Sequence, residues 1–434
     1  MELFHALVLL VTFVGLLSIG VPISVGIGLS ALVTLVLSVD SAVAATTVAQ
    51  RIATGLDRFT LLAIPFFILS GQLMNRGGIA RRLIDFARAL VGMLPGGLAY
   101  VTIVAGMLFG AISGSAVAAV AAVGGFMVPR MVEQGYEKNF ATAVNISSAT
   151  TSLVIPPSNI LIVYALASGG ASIAALFVAG YLPGILVGLA LMAVAGWISW
   201  RRNYALDEPV GARETVRRSL AALPSLFMVV LVIGGIVAGY FTATEAGAIA
   251  VAYSFILAVV VYREVKLREV PEILVDASAT TSIVMLLIGT SMALSWVLAY
   301  ERIPEALSAL FLSMTASKAL ILLSINAVLL IVGTVLDMTP AVLIFTPIFL
   351  PVVESLGIHP VHFGIVMVLN LCIGLCTPPV GSVLFLGCSV SETRITKVSR
   401  ALIPLYVAMI IALMLVTFIP EVSLALPRWL GLLG

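Results

Sequence analysis

The chain has 434 residues, of which 61% are hydrophobic and 10% charged, with a formal net charge of +2. Soluble domains carry about 45–50% apolar and about 25% charged residues. A mean hydropathy of +1.21 therefore excludes a soluble globular chain and indicates a polytopic all-α membrane protein, while the near-neutral balance says nothing about nucleic acid or anionic partners.

The first residues, Met1-Glu2-Leu3-Phe4-His5, hold no Lys or Arg before the apolar run, which argues against a cleaved signal peptide. Runs long enough to cross a hydrocarbon core of about 30 Å fall near 3–19, 22–39, 59–75, 139–168, 171–200, 222–240, 246–262, 277–299, 362–390 and 401–426. Two more, 97–131 and 319–355, are interrupted in the middle. Arg76 to Leu94 alternates arginines with Ile79, Leu83, Ile84, Phe86 and Leu90. It reads as a helix lying along the membrane surface, with a counterpart near 301–315; a simple connecting loop is the alternative. The polar segment 201–221, with its Asp207-Glu208-Pro209 turn signal, reads as a linker between halves 1–200 and 222–434.

Charge supports a topology. If the interrupted runs are hairpins, one face collects 17 of the 22 Lys and Arg residues and the other collects Arg51, Arg58, Arg302, Lys318 and Arg428. The positive-inside rule makes the basic face cytoplasmic. Both termini are then expected in the periplasm, and the second hairpin opens on the side opposite to the first. Treating each interrupted run as one straight crossing removes the bias. Charge alone does not separate a re-entrant hairpin from two full crossings, but arms of about 16 residues reach only about 24 Å, placing Ser113-Gly114-Ser115 near mid-membrane.

A pattern recurs without a gap. Pro129, Gly135, Pro156 and Pro157 match Pro351, Gly357, Pro378 and Pro379 at a spacing of 222. The expected fold is an inverted repeat of two halves, each with five spans and one re-entrant helical hairpin. Interruptions at corresponding places in two halves point to the binding site of a secondary transporter. Proline removes an amide donor and turns the preceding residue away from the helix, so Ile155-Pro156-Pro157-Ser158-Asn159 and Thr377-Pro378-Pro379-Val380-Gly381-Ser382 free carbonyls upstream and start helices downstream. Carbonyls with hydroxyl or carboxylate oxygens suit Na⁺, and fresh helix N-termini suit a carboxylate. Asp337, in Asp337-Met338-Thr339-Pro340, is an ionisable group inside an apolar hairpin and reads as a cation ligand or as a helix cap. Asn145 to Ser152 is a run of hydrogen-bonding side chains serving either the transport path or helix–helix contacts. Thr242 and Glu245 fit a capping box. Cys372, Cys376 and Cys388 read as buried small hydrophobes, and His359 and His362 as solvated loop residues. HExxH, GxSxG and GxxxxGK[ST] signatures are absent, so no enzyme activity and no ATP coupling are expected.

The series Gly110-Ala-Ile-Ser113-Gly114-Ser115-Ala, Ile155-Pro156-Pro157-Ser158, Leu336-Asp337-Met338-Thr339-Pro340 and Thr377-Pro378-Pro379-Val380-Gly381 resembles the large membrane subunit of tripartite ATP-independent periplasmic (TRAP) transporters, over essentially the whole chain. The resemblance implies an elevator fold of the ion-transporter superfamily in the bacterial inner membrane, importing a small organic acid with Na⁺ as coupling ion and no other cofactor. It implies a separate small four-helix membrane subunit and a periplasmic substrate-binding protein as partners. By motif, Ser113, Gly114, Ser115, Ser152, Pro156 and Pro157 belong to a first sodium region, and Gly333, Asp337, Thr339, Thr377, Pro378 and Gly381 to a second. Ser115, Ser158, Asn159 and Thr339 would face the substrate. The rival reading is a stand-alone sodium-coupled dicarboxylate or citrate carrier; a channel or a membrane enzyme fits less well.

Overall fold

The computed structural model describes residues 2–204, 211–306, 309 and 317–433, and these hold helices and no strand. The first half runs α1 (Glu2–Ser18), α2 (Ile23–Val36), α3 (Ser41–Leu56), α4 (Ala63–Arg76), α5 (Ile79–Val91), α6 (Gly97–Ser113), α7 (Ala116–Glu133), α8 (Lys138–Ser148), α9 (Thr151–Val154), α10 (Asn159–Ala167) and α11 (Ile173–Arg201). The second runs α12 (Ala212–Val237), α13 (Ala243–Phe255), α14 (Val270–Tyr300), α15 (Lys318–Val335), α16 (Met338–Ser355), α17 (Pro360–Leu375), α18 (Ser382–Val390), α19 (Ile395–Phe418) and α20 (Glu421–Trp429). Among the described residues, eight helices are long and apolar enough to cross a membrane, or up to ten if each bent pair counts once. Outward faces stay apolar, as at Val11, Val230, Ile283 and Ile331. A soluble chain would not leave so much aliphatic surface exposed; this is a multi-pass membrane protein.

Element bounds recur at the spacing of the motifs. Ala116–Glu133 matches Met338–Ser355, and α8 and α17 begin at Lys138 and Pro360. The stops match as well. Gly135 and Gly357 both take left-handed φ, +85° and +71°, and the next amides reach back five residues, Tyr136 to Met131 O and Ile358 to Val353 O. This is the cap in which only glycine turns without a Cβ penalty.

Some expected bounds move. α3, rich in Thr, Ser and Gln, is a helix that the hydropathy runs omit; it bends by 63° into the segment that carries α4. The run 401–426 is two helices, parted at Ile419-Pro420. α12 begins at Ala212, inside the expected linker, while the Asp207-Glu208-Pro209 turn lies outside the described residues. The amphipathic segment folds as helix α5, burying Ile79, Leu83 and Ile84; most of its expected counterpart near 301–315 lies outside the described residues. The Thr242–Glu245 capping box forms with both reciprocal bonds.

Two groups of helices emerge from the packing. One joins α1 to α4 with α12, α13 and α14; the other joins α6 to α11 with α15 to α20. They meet where α4 touches α6 and α14 touches α16. Both interrupted runs turn back. A Cβ on Gly96 would lie 2.7 Å from Ser199 Cβ, and beyond α7 Tyr136 stacks on Tyr204 at 4.1 Å. Both ends of the first hairpin therefore sit beside the end of α11. α15 runs alongside α17, Asn370 Nδ2 donating to Asn326 Oδ1 at 2.8 Å, so both ends of the second hairpin sit beside the start of α17.

His362 corrects its reading as a solvated loop residue. It is the third residue of α17, 3% exposed, and its ring lies 2.7 Å from Ser423 Oγ and 3.3 Å from Thr417 O. A second buried histidine clamps α1 to the end of α14: His5 Nδ1 lies 2.5 Å from Glu301 Oε2, and Ser38 Oγ donates to Glu301 Oε1 at 2.6 Å. His5→Ala leaves the buried Glu301 carboxyl with Ser38 as its remaining hydrogen-bond partner, a loss of about 1–3 kcal/mol for a buried polar group left unsatisfied. The unfolding midpoint of the purified protein is expected to drop by roughly 5 °C or more, and His5→Gln, which keeps a donor, to recover most of it. An unchanged midpoint in the alanine variant would show that the pair clamps nothing.

Candidate functional site

Each hairpin tip lies against the Pro-Pro break of its own half. α6 ends with Gly114 in the left-handed region at φ 60°, and Ser115, in extended backbone, caps α7 by accepting from Ala118 N at 3.2 Å. A Cβ on Gly114 would lie 3.4 Å from Pro157 O and 3.6 Å from Asn159 Nδ2. The tip thus stands directly on the break between α9 and α10, which includes a cis Pro156–Pro157 bond. Small residues allow the approach: Gly110 is seated on Ser152, where an added Cβ would stand 2.2 Å from Ser152 Cα. Ser152 Oγ donates to Gly106 O at 3.2 Å. Ser158 Oγ donates to Leu153 O at 2.6 Å, satisfying a carbonyl that the break leaves free. Asn145 Nδ2 donates to Val120 O at 3.0 Å, tying α8 to α7. The run from Asn145 to Ser152 therefore serves helix–helix contacts and local carbonyls.

The second centre uses different atoms. Val380 N and Gly381 N both donate to Thr334 O at 3.1 Å, so the amides freed after Pro378-Pro379 are held by the end of the hairpin's first arm. That break also contains a cis bond. Gly333 and Gly374 bring α15 and α17 into backbone contact, a Cβ on Gly374 meeting Gly333 at 2.5 Å. Gly381 starts α18, and a Cβ there would press on Thr377 O at 2.7 Å. Thr377 Oγ1 donates to Ile373 O at 2.8 Å, and Tyr406 Oη donates to Cys376 O. Asp337 stands at the N-cap of α16, without a side-chain cap bond; its Oδ1 accepts from Ser382 Oγ at 3.3 Å. Asp337 thus occupies the N-cap position while its carboxylate makes no cap bond. Thr339 is half-buried on the first turn of α16, and among the described residues no hydrogen bond joins it to Asp337 or Thr377.

The structure therefore brings Ser113, Gly114, Ser115, Ser152, Pro156, Pro157, Ser158 and Asn159 together, and Gly333, Asp337, Thr377, Pro378 and Gly381 together. Thr334, Gly374 and Tyr406 join the second centre without having been singled out by sequence, and Ser382, the last residue of the second break, joins it through Asp337. The halves are linked by exchange: α10 packs on α16 and α18 on α7, and Cys376 Sγ lies 3.5 Å from Ile146 O. Exposure differs sharply. Ser113, Ser152 and Ser158 are buried, whereas Asp337, Pro378, Pro379 and Val380 are exposed. Two cavities, of about 650 and 460 Å³, lie away from both centres at the arginine-rich end.

Residues 10–422 match the model of the DctM component of tripartite ATP-independent periplasmic transporters. The chain belongs to this family. It is 51% identical to the uncharacterized protein YgiK of Salmonella typhimurium, over 98% of each chain. It is 43% identical to the C4-dicarboxylate TRAP transporter large permease protein DctM of Pseudomonas aeruginosa, over 87% of this chain and 88% of that one. The fold is similar to that of the YdaH transporter of Alcanivorax borkumensis, with TM-score 0.62 at 15% identity, covering 91% of this chain and 90% of that one. The Pseudomonas relative is a transporter permease, and the chain is a TRAP large permease rather than an enzyme.

The close approaches yield a test that needs no transport assay. Gly110→Val and Gly374→Val drive a side chain into opposing backbone and are expected to lower the unfolding midpoint by roughly 5 °C or more, as overpacking losses of about 1–3 kcal/mol require. Gly125, with nothing within 4 Å of an added Cβ, is the control, and Gly125→Ala should match the parent. Equal midpoints for all three would show that the hairpins are not seated on the breaks.

Proposed function

We propose that this chain is the large permease subunit of a sodium-coupled importer of a small organic acid in the inner membrane. The observation that carries the reading is the contact of each hairpin tip with a Pro-Pro break, Gly114 beside the Pro157 carbonyl and the Thr334 carbonyl on the Val380 and Gly381 amides. Unwound backbone inside a membrane is tolerated where it is buried in protein or lines a water-filled cavity, and paired discontinuous helices are the usual coordination sites for ions and anionic substrates. In this reading the carbonyls and hydroxyls around Ser113–Ser115 and Pro156–Pro157 hold one Na⁺. Asp337, Thr377, Pro378, Gly381 and nearby Gly333 and Thr339 frame a second. Ser115, Ser158, Asn159 and Thr339 serve the substrate carboxylate. The Ser158 hydroxyl already donates to Leu153 O, so Ser158 would act through its backbone amide at the helix start.

Element bounds that recur at 222, and hairpins whose ends lie at opposite ends of the molecule, favour an inverted repeat. The division into two packing groups favours an elevator, in which α6 to α11 with α15 to α20 travel past α1 to α4 with α12 to α14. The exposed second centre beside a buried first centre suits a substrate path entered from the Asp337 side. The arginine-rich end faces the cytoplasm by the positive-inside rule, and both termini the periplasm. The dicarboxylate permease of Pseudomonas aeruginosa favours a small carboxylate as cargo, and a tripartite family favours a small membrane subunit and a periplasmic binding protein as partners.

Reconstituted with those partners, the parent chain is expected to take up a labelled organic acid only with a Na⁺ gradient. Asp337→Asn keeps the size of the side chain and removes the charge. It is expected to raise half-saturating Na⁺ by roughly 10- to 100-fold, the worth of one charged contact, with an unchanged unfolding midpoint. Ser115→Ala is expected to raise the KM for the acid more than the Na⁺ requirement. Unchanged Na⁺ dependence in Asp337→Asn removes that carboxylate from the ion site. Uptake by the chain alone would favour the stand-alone carrier.

A further inference from the structure

The cavity of about 460 Å³ opens where α11 ends and α8 and α19 begin, and Arg201, Arg202, Arg400, Trp197, Phe140 and Pro404 line it. Its three guanidiniums are not equivalent. Arg202 is neutralised: its Nη1 lies 2.5 Å from Glu137 Oε2 and 3.1 Å from Tyr204 Oη, and its Cζ is 5.7 Å from the Phe140 ring centre. The Asn139 amide and then Arg202 hold the Glu137 carboxyl below its ordinary range, so this pair stays ionised at neutral pH. Arg201 and Arg400 are exposed and have no carboxylate within salt-bridge distance among the described residues. Arg201 instead lies over Trp197, 5.6 Å from its ring centre. Among the described residues, the mouth carries two uncompensated positive charges.

What surrounds those charges is apolar and faces outward. Trp197 and Trp200 are 54% and 69% exposed, as in the aromatic belts found at headgroup level. From Trp197 an exposed row runs along α11 through Leu189 to Leu182, at seven- and eight-residue steps. From Arg400 another runs along α19 through Ile403, Val407 and Ile411, at three- and four-residue steps. Such steps keep side chains on one helix face. Two arginines thus cap two parallel aliphatic strips. A free anion would use the arginines and leave the strips idle, whereas a phospholipid uses both.

We propose that this cavity is a binding site for an anionic phospholipid, with Arg201 and Arg400 on the phosphodiester oxygens, Trp197 at glycerol level and the acyl chains along α11 and α19. Planar guanidinium forks match phosphate oxygens, and basic pockets between spans at the cytoplasmic rim suit anionic headgroups. Zwitterionic phosphatidylcholine brings a trimethylammonium against the same arginines and binds less well.

The test uses the full chain in detergent, incubated with phosphatidylglycerol or phosphatidylcholine and read by native mass spectrometry. The parent is expected to retain phosphatidylglycerol preferentially, and excess inorganic phosphate should not release it. The double variant Arg201→Gln, Arg400→Gln should weaken retention by roughly 30-fold, the combined contribution of two headgroup-facing arginines, and Arg400→Gln alone by roughly 5-fold. Arg268→Gln, at another exposed arginine, should change nothing. Both target side chains are exposed, so elution volume and unfolding midpoint should match the parent, and the single variant supplies the test if the double one does not fold. Equal retention of phosphatidylcholine, unchanged retention in the variants, or release by inorganic phosphate would each overturn the site.

Discussion

The constraint on which the structure depends is the demand that backbone amides and carbonyls find partners away from water. Four helical interruptions deep in an apolar molecule would each leave such groups unpaired, at a loss of about 1–3 kcal/mol apiece. The hairpin tips and nearby hydroxyls answer that demand. Thr334 O receives two amides after Pro378-Pro379, Ser158 Oγ turns back to Leu153 O, and Tyr406 Oη reaches Cys376 O. What remains available is concentrated: a carboxylate at Asp337 and carbonyls at two breaks facing two tips. The scaffolding that makes the interruptions tolerable therefore also sets where the proposed ions and acid would be held.

The two halves answer the same demand with different chemistry. Ser115 and Asp337 occupy matching N-cap positions, before Ala116 and Met338. The hydroxyl at Ser115 closes onto its own helix, whereas the carboxylate at Asp337 does not. The Gly110–Ser152 seat in one half is a Gly333–Gly374 seat in the other, both built on residues small enough for backbone to meet neighbouring backbone. Similar shapes with different polar atoms leave one centre buried and one exposed, with a hydroxyl at Ser115 where the other carries the Asp337 carboxylate.

Much of this was legible because proline and glycine declare backbone behaviour by residue type. The Pro-Pro breaks, the Ser113–Ser115 tip and the Gly135 and Gly357 stops could be placed from sequence for that reason. Thr334 and Tyr406 could not. Thr334 acts through its carbonyl, which every residue has, and Tyr406 through a contact 30 residues along the chain. α3 was missed because Thr46, Thr47, Gln50 and Arg51 lower its hydropathy although its backbone is helical. His362 was misread because closeness to a loop in sequence says nothing about Ser423, 61 residues away, which closes over it.

The central claim is that the two tip-and-break centres hold cations. It is tested most directly by density maps of the chain in lipid nanodiscs, one in Na⁺ and one in choline. The account predicts compact density beside the Pro156–Pro157 carbonyls and beside Asp337 and Thr377 in Na⁺ that disappears in choline. Identical density in both maps, or uninterrupted helices through Ser113–Ser115 and Pro378–Pro379, would contradict it.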